Sequence, residues 1–257
     1  MLQLNNKIRF FEELASNAHV ALNVHQYDGW LMRFSNGYTR RANSISVIYP
    51  STIGLNEKIE YCEECYKKQG LPCLFKLTDD ASDRELNTLL ESREYEVVTS
   101  TDLLVLNLKK LDSWQPTNTD SQAVFFDTPT EEWLAAYFPF EGITDEWKKT
   151  TFRQMLSKVQ VKTIYCAIMN EGKIVACASA AIEHGYMLLQ NVVVDPAARG
   201  KGFGKIVCQS LIKKAKEEGA NYSYLQVVQT NTVAYNLYSK LGFEKEYSYW
   251  YMRQKNV

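Results

Sequence analysis

The fourteen residues Val192-Val-Val-Asp-Pro-Ala-Ala-Arg-Gly-Lys-Gly-Phe-Gly-Lys205 carry the strongest chemical signal in the chain. A β-type run breaks at Asp195-Pro196, and a glycine-punctuated loop leads straight into a helical pattern. That arrangement builds an anion site. Glycines let the backbone approach closely, successive N–H groups point into the loop, and the first helical turn adds the positive end of its dipole. Arg199, Lys201 and Lys205 add side-chain charge, so a diphosphate is the natural occupant. A Walker A loop would need Gly at 199 and Ser or Thr at 206, where the chain has Arg199 and Ile206. A dinucleotide fingerprint starting at Gly200 would need Gly or Ala at 205, which is Lys. A glycine-rich turn with a solvated basic face is the bland alternative.

A second constellation is Asn231-Thr-Val-Ala234-Tyr-Asn-Leu-Tyr238-Ser-Lys-Leu-Gly242-Phe243. Asn231 stands where a helix cap belongs, and Ala234 and Tyr238, four apart, share a helical face. Taken alone, Tyr238 reads as a packed aromatic.

The elements that must position these residues follow from apolar spacing and turn chemistry. Strand-like runs cover Gln122 to Phe126, Thr163 to Met169, Lys173 to Ile182 and Tyr186 to Val194, the last three joined by Asn170-Glu-Gly and Glu183-His-Gly turns. Helices are expected from Thr128-Pro-Thr-Glu-Glu-Trp, from about Asp145 to Lys158, from about Gly202 to Glu218, and from Thr232 to Lys240, with strands at Tyr222 to Val228 and Lys245 to Arg253. The first half repeats the later part of this order: strands at Trp30 to Asn36 and Asn43 to Tyr49, helix Leu55 to Gln69, strand Cys73 to Leu77, helix Ser82 to Ser92, strand Glu96 to Leu108. Gly70 to Tyr95 spans almost the distance from Gly219 to Phe243, which implies a duplication. In place of the glycine loop the first half has Ser51-Thr-Ile-Gly-Leu-Asn-Glu57. The polar, turn-rich stretch Asp112 to Ser121 is the break.

Together the Arg199-x-x-Gly202-x-Gly204 loop and the Asn231-to-Phe243 segment resemble the GNAT superfamily of N-acyltransferases. The likeness runs from about Ser121 to Val257 in element order and is specific from Asn191 to Phe243. The Trp30-Leu-Met-Arg33 and Gly37-Tyr-Thr-Arg-Arg41-Ala-Asn43-Ser44 segments add a likeness to bacterial proteins of this type that carry a degenerate GNAT-like N-terminal half. The resemblance implies an α/β (α+β) chain with a duplicated GNAT-like fold, two mixed, mostly antiparallel sheets flanked by helices. Residues 1–112 would form the degenerate domain, 113–121 a linker, and 122–257 a complete GNAT domain. It implies acetyl-CoA as co-substrate, with the backbone of Val192, Val193 and Val194 holding the pantetheine arm as an added strand. Amides of Arg199, Gly200, Lys201, Gly202, Phe203, Gly204 and Lys205 would hold the pyrophosphate, Asn231 would touch the cofactor, and Tyr238 would face the thioester sulfur. Arg33, Arg40, Arg41 and Asn43 either line an acceptor pocket or form a solvated strand face, and the solvated face is the commoner case.

In the expected reaction a primary amine attacks the thioester directly in a ternary complex, with orientation and a backbone N–H for the developing oxyanion. A phenol near pKa ~10 is a poor full proton donor to a thiolate near ~8.5, a gap of about 2 kcal/mol, so Tyr238 would stabilise sulfur by hydrogen bonding. Glu183, Glu141 and Asp145 are candidate bases, and nothing in the sequence selects among them. Two other readings stay open, a non-catalytic acyl-CoA sensor or scaffold, and transfer of a longer acyl or aminoacyl group. The acceptor is a small molecule or protein amine, and a homodimer is admissible.

Composition agrees with a packed globular chain, 46% hydrophobic and 23% charged. Lys and Arg (29) balance Asp and Glu (30), which disfavours nucleic-acid partners. Acidic residues interrupt the N-terminal MLQLNNKIRFFEEL and no segment reaches membrane-spanning length, so a cytoplasmic location without membrane contact is expected. The six cysteines read as reduced thiols, and Cys62-x-x-Cys65 lacks the second pair that a closed zinc site requires, so no metal is expected.

Overall fold

The computed structural model describes residues 4–80, 83–111 and 122–255. The expected linker, 113–121, lies outside the described residues. Two compact units form, neither continuous in sequence: Met1–Asp102 with Thr151–Lys158 and Tyr247–Val257, and Leu103–Thr150 with Val159–Glu246.

Unit 1 contains α1 (Leu4–Ala18), β1 (Asn23–Tyr27), β2 (Trp30–Phe34), β3 (Ile45–Val47), α2 (Leu55–Lys68), β4 (Leu74–Thr78), α3 (Asp83–Ser92) and the start of β5 (Tyr95–Asn107). The sequence expectations began at Trp30, so α1 and β1 are additions. α1 is amphipathic, with Ile8, Phe11, Leu14, Ala15 and Ala18 buried at helical spacing. β1 is almost wholly exposed and offers no alternation to read.

Unit 2 takes the end of β5, then β6 (Gln122–Phe126), α4 (Glu131–Glu141), the first turn of α5 (Glu146–Ser157), β7 (Lys162–Asn170), β8 (Lys173–Glu183), β9 (Tyr186–Val194), α6 (Phe203–Glu217), β10 (Tyr222–Val228), α7 (Thr232–Lys240) and the start of β11 (Glu244–Gln254). The strands from β6 to β9 are antiparallel neighbours, and β10 joins β9 in parallel. β7 is apolar on both sides because both faces are covered. Ile164, Cys166 and Ile168 share a core with Val207, Cys208, Leu211 and Ile212 of α6, while Tyr165 on the alternate face meets Trp133 of α4. Small residues on β8 (Ala176, Ala178 and Ala180) are wholly buried in that core. Each large aliphatic side chain buried there contributes roughly 1.5–3 kcal/mol.

One expectation is corrected. The strands follow a single hydrogen-bonded order, β1-β2-β3-β4-β11-β5-β10-β9-β8-β7-β6, so there is one mixed sheet in place of two. The reason is that the last strand pairs far back in the chain, with Tyr249 to Arg253 of β11 antiparallel to Leu74 to Thr78 of β4. Among the described residues, no helix is long and apolar enough to cross a membrane.

Candidate active site

β9 and β10 pair only at Tyr186, Met187 and Leu188 opposite Tyr222, Ser223 and Tyr224, although β9 runs on to Val194 and β10 to Val228. Backbone groups at the far end of β9 therefore lack a ladder on the β10 side, while the β8 side stays paired as far as Val194 opposite Ala176. Within this stretch β9 carries one residue more than β8, and Asn191 adopts φ +56°. A bulge of this kind bends the strand and re-aims its main-chain groups. Asn191 is fixed in place: its Nδ2 donates to Ser179 Oγ at 2.8 Å, and Tyr137 of α4 donates to its Oδ1 at 3.4 Å. Sequence reasoning assigned Asn191 no role, and its only signal was a polar Gln190-Asn191 pair inside an apolar run.

Past β9 the chain turns at Asp195, whose side chain accepts from Ala197 N at 2.9 Å and caps a 3-10 turn over Pro196–Ala198. Gly200 (φ +78°) and Gly202 (φ +87°) then take left-handed conformations that suit glycine. Gly202 is the cap of α6 and supplies no side-chain acceptor, so the amides of Phe203 and Gly204 face outward from the helix start. A Cβ built on Gly200 or Gly202 meets nothing within 4 Å, so the surface over the loop is open. Arg199, Lys201 and Lys205 are exposed around it. The fit to a diphosphate is good, with amides, a helix start and cations converging on open space.

Gly204 joins three of the expected segments. A Cβ there would lie 3.5 Å from Val194 Cγ2 and 3.5 Å from Leu237 Cδ2, so the loop, the end of β9 and α7 are in mutual contact. α7 starts at Asn231, whose Oδ1 accepts from Ala234 N at 3.1 Å, the cap expected from the sequence. Tyr238 is 9% exposed and lies in the core cluster with Leu106, Leu241 and Phe243, its ring 5.9 Å from that of Phe243. Val192 and Val194 are partly buried against the same cluster, and Val193 is buried on the opposite side of the strand.

The candidate bases separate by position. Glu183 and His184 sit in the β8–β9 hairpin, eight residues along β9 from Val194, which is roughly 26 Å away. Glu141 ends α4 beside Phe140, whose carbonyl accepts from Arg199 Nη2 at 3.4 Å, so this acid is near the loop. Asp145 follows shortly after and pairs with Lys148 at 2.6 Å. Burial raises the thiols of Cys177 and Cys208 to about 12, so neither is an anion at neutral pH.

In unit 1 the loop ahead of α2 is held by a side chain of the chain itself. Asp28, in the β1–β2 turn, accepts through Oδ2 from Thr52 N and Ile53 N, both at 2.8 Å, and through Oδ1 from Thr52 Oγ1. Lys58, buried in the first turns of α2, donates to the same carboxylate at 3.2 Å and lies 4.0 Å from the Trp30 ring. The backbone amide of Ile53 is the largest influence holding Asp28 far below the usual carboxylate range. In the Gly37–Ser44 segment the Asn43 side chain ties the backbone together. Asn43 Oδ1 accepts from Ser35 N (2.7 Å) and Gly37 N (2.9 Å), and its Nδ2 donates to Thr39 O (2.8 Å). Asn43 therefore shapes a loop, and Arg33, 6% exposed, is no solvated strand residue.

A family profile described as "Probable histone acetyltransferase Rv0428c C-terminal" matches residues 5–252. The chain is 28% identical over 236 residues to the uncharacterized N-acetyltransferase YobR of Bacillus subtilis, covering 92% of this chain and 94% of that one. It is 29% identical over 99 residues to the ribosomal protein bS18-alanine N-acetyltransferase of Haemophilus ducreyi, covering 38% of this chain and 66% of that enzyme. Its fold superposes on a GCN5-related N-acetyltransferase from Kribbella flavida with TM-score 0.73 at 15% identity, over 97% of this chain and 96% of the other.

Proposed function

Since the chain belongs to the Rv0428c C-terminal acetyltransferase family, and so to the acyl-CoA-dependent N-acetyltransferases of the GNAT superfamily, we propose that it moves an acetyl group from acetyl-CoA to a primary amine by direct attack. The observation that carries this reading is the end of the β9–β10 ladder beside the start of α6. The unladdered main chain of Val192, Val193 and Val194 offers edge hydrogen bonds to an amide-bearing arm, in the manner of an added strand. Amides from Arg199 to Lys205 take the diphosphate, with the loop cations screening its charge. Acetyl-CoA supplies the activated acyl group.

This chain's residues then do three things. The bulge at Asn191, held by Ser179 and Tyr137, orients a β9 amide toward the carbonyl oxygen, where charge develops. Tyr238 donates a hydrogen bond to the departing sulfur. Glu141 or Asp145, on the loop side of the unit, receives the amine proton directly or through water. The relative that acts on a ribosomal-protein alanine supports a protein amino group as one acceptor class, beside small amines.

The test is thiol release from acetyl-CoA across a panel of small amines and peptides with free amino termini, run beside calorimetry of CoA binding. Turnover with at least one amine is expected. Binding without thiol release from any acceptor would convert the assignment into a sensor, and faster turnover with longer thioesters would change the acyl group.

A further inference from the structure

Unit 1 holds a cavity of about 850 Å³, within the ~300–1,000 Å³ usual for small-molecule sites. Three pieces of chain close it, all within that unit. One is the outer face of α2, where Glu60, Glu63, Glu64 and Lys67 recur at helical spacing while Ile59, Cys62 and Tyr66 on the inner face are buried. The second is the turn after α2. Gly70 takes φ +64°, Leu71 N donates back to Tyr66 O at 3.0 Å, and Leu71 and Pro72 lead the chain toward β4. The third is the end of β11, where Arg253 stands opposite Leu74 in the β4 register. Glu60, Glu64, Lys67 and Gly70 are exposed, so the cavity opens to solvent along that edge, while Glu63, Leu71, Pro72 and Arg253 are half-buried.

The carboxylates of the α2 wall are committed to different degrees. Glu63 accepts from Tyr95 Oη at 2.9 Å, and Arg93 serves Glu60 at 3.1 Å and the other oxygen of Glu63 at 4.0 Å. Glu64 has only Lys68, at 2.7 Å, and both of these side chains are exposed. An exposed pair of this kind is worth little, so Glu64 can turn to an incoming cation at small cost. On the β11 side Arg253 is unanswered. Its Nε is buried without a hydrogen-bond partner, and among the described residues its guanidinium forms no ion pair. A half-buried guanidinium so placed has lost hydration that nothing in the unit returns, and its planar fork matches a carboxylate.

We propose that this cavity binds a small zwitterion with an apolar body, of the dipeptide type. Its carboxylate meets the Arg253 guanidinium, its ammonium meets Glu64, and its side chains lie against Leu71 and Pro72. Charges of opposite sign on two walls read both ends of one molecule and select against ligands that carry either charge alone. Lys67, exposed beside Glu64, keeps its hydration at the edge.

The site is independent of the acyl-transfer reading, and its test contains no thioester. Calorimetry on the full chain uses L-leucyl-L-leucine, its N-acetyl form, which lacks the ammonium, and its C-terminal amide, which lacks the carboxylate. The dipeptide should give saturable heat, and each cap should weaken binding by about tenfold or more, the loss expected for one charge-assisted contact. Arg253→Gln should lower dipeptide affinity to that of the amide and leave the amide's own affinity unchanged, since variant and cap remove the same contact. Glu64→Gln should do the same toward the N-acetyl form. Neither variant should melt appreciably below wild type, because Arg253 Nε has no partner to lose and the Glu64 pair is exposed. No saturable heat from the dipeptide, equal binding of either capped form, or an Arg253→Gln variant that keeps full dipeptide affinity or weakens all three ligands alike overturns the assignment.

Discussion

The Arg199 guanidinium turns back on the strand that precedes it, donating from Nε to the Val194 carbonyl at 3.4 Å while Nη2 reaches the Phe140 carbonyl. It thereby ties the end of β9 to the end of α4. The α4 terminus is left free to accept, because its closing turn uses the carbonyls of Phe138 and Pro139. Both bonds are long, so each contributes at the low end of about 0.5–1.5 kcal/mol. Arg199→Ala should raise the Michaelis constant for acetyl-CoA by roughly three- to tenfold and leave thermal melting nearly unchanged. A loss of several degrees with normal acetyl-CoA kinetics would make Arg199 a structural tie alone.

Gly202 and Gly204 should respond differently to the same substitution. Gly202 has φ +87°, so Gly202→Ala forces a left-handed alanine at a cost of about 1–2 kcal/mol. A Cβ at Gly204 meets only ordinary contacts at 3.5 Å, and Gly204→Ala should fold as wild type does. Either glycine replaced by Asp places a carboxylate against the diphosphate site and should abolish CoA binding in calorimetry. Retained binding in both Asp variants would remove the loop from the cofactor site.

Tyr238→Phe separates chemistry from binding. The ring stays packed against Phe243, so stability and CoA affinity should hold while turnover falls, on the order of the 10²-fold associated with losing one hydrogen bond to developing charge. Unchanged turnover would assign Tyr238 to packing, as it reads in isolation.

Asp83 gives unit 1 a pH signature. Its Oδ2 accepts from Thr78 N at 2.8 Å and Thr78 Oγ1 at 2.9 Å, yet burial outweighs those bonds and lifts its pKa to about 6. A carboxyl with a raised folded-state pKa favours folding most below its unfolded value near ~3.9. That contribution is lost as pH climbs to about 6, at most about 3 kcal/mol. Asp83→Asn, which keeps an acceptor for Thr78, should flatten this part of the stability profile in urea titrations at pH 4 to 7. An identical slope in variant and wild type would mean that a group other than Asp83 sets it.

The elements around the site were legible because their signals are local. β10 (Tyr222–Val228), α7 (Thr232–Lys240) and β6 (Gln122–Phe126) fall where apolar spacing and caps place them, and β7 to β9 agree to within a residue or so. Strand partnership is not local. Nothing in Tyr249-Trp-Tyr-Met-Arg253 names Leu74 to Thr78 as its neighbour, and that pairing turns two expected sheets into one. The Asn191 bulge shows in the sequence only as a polar Gln190-Asn191 pair, because the lost register exists only relative to β8. Arg33 reads as solvated because charge on an alternating strand ordinarily means solvent, whereas α1, absent from the expectations, buries Glu12 against the same face.

Asp28 also bears on stoichiometry. A dissolved anion approaching the Thr52 and Ile53 amides competes with a tethered carboxylate whose effective concentration is millimolar or higher. A free anion at lower concentration loses that contest, so the turn that precedes α2 stays self-liganded. Under the proposed function, CoA binding should follow a simple hyperbola ending at one equivalent.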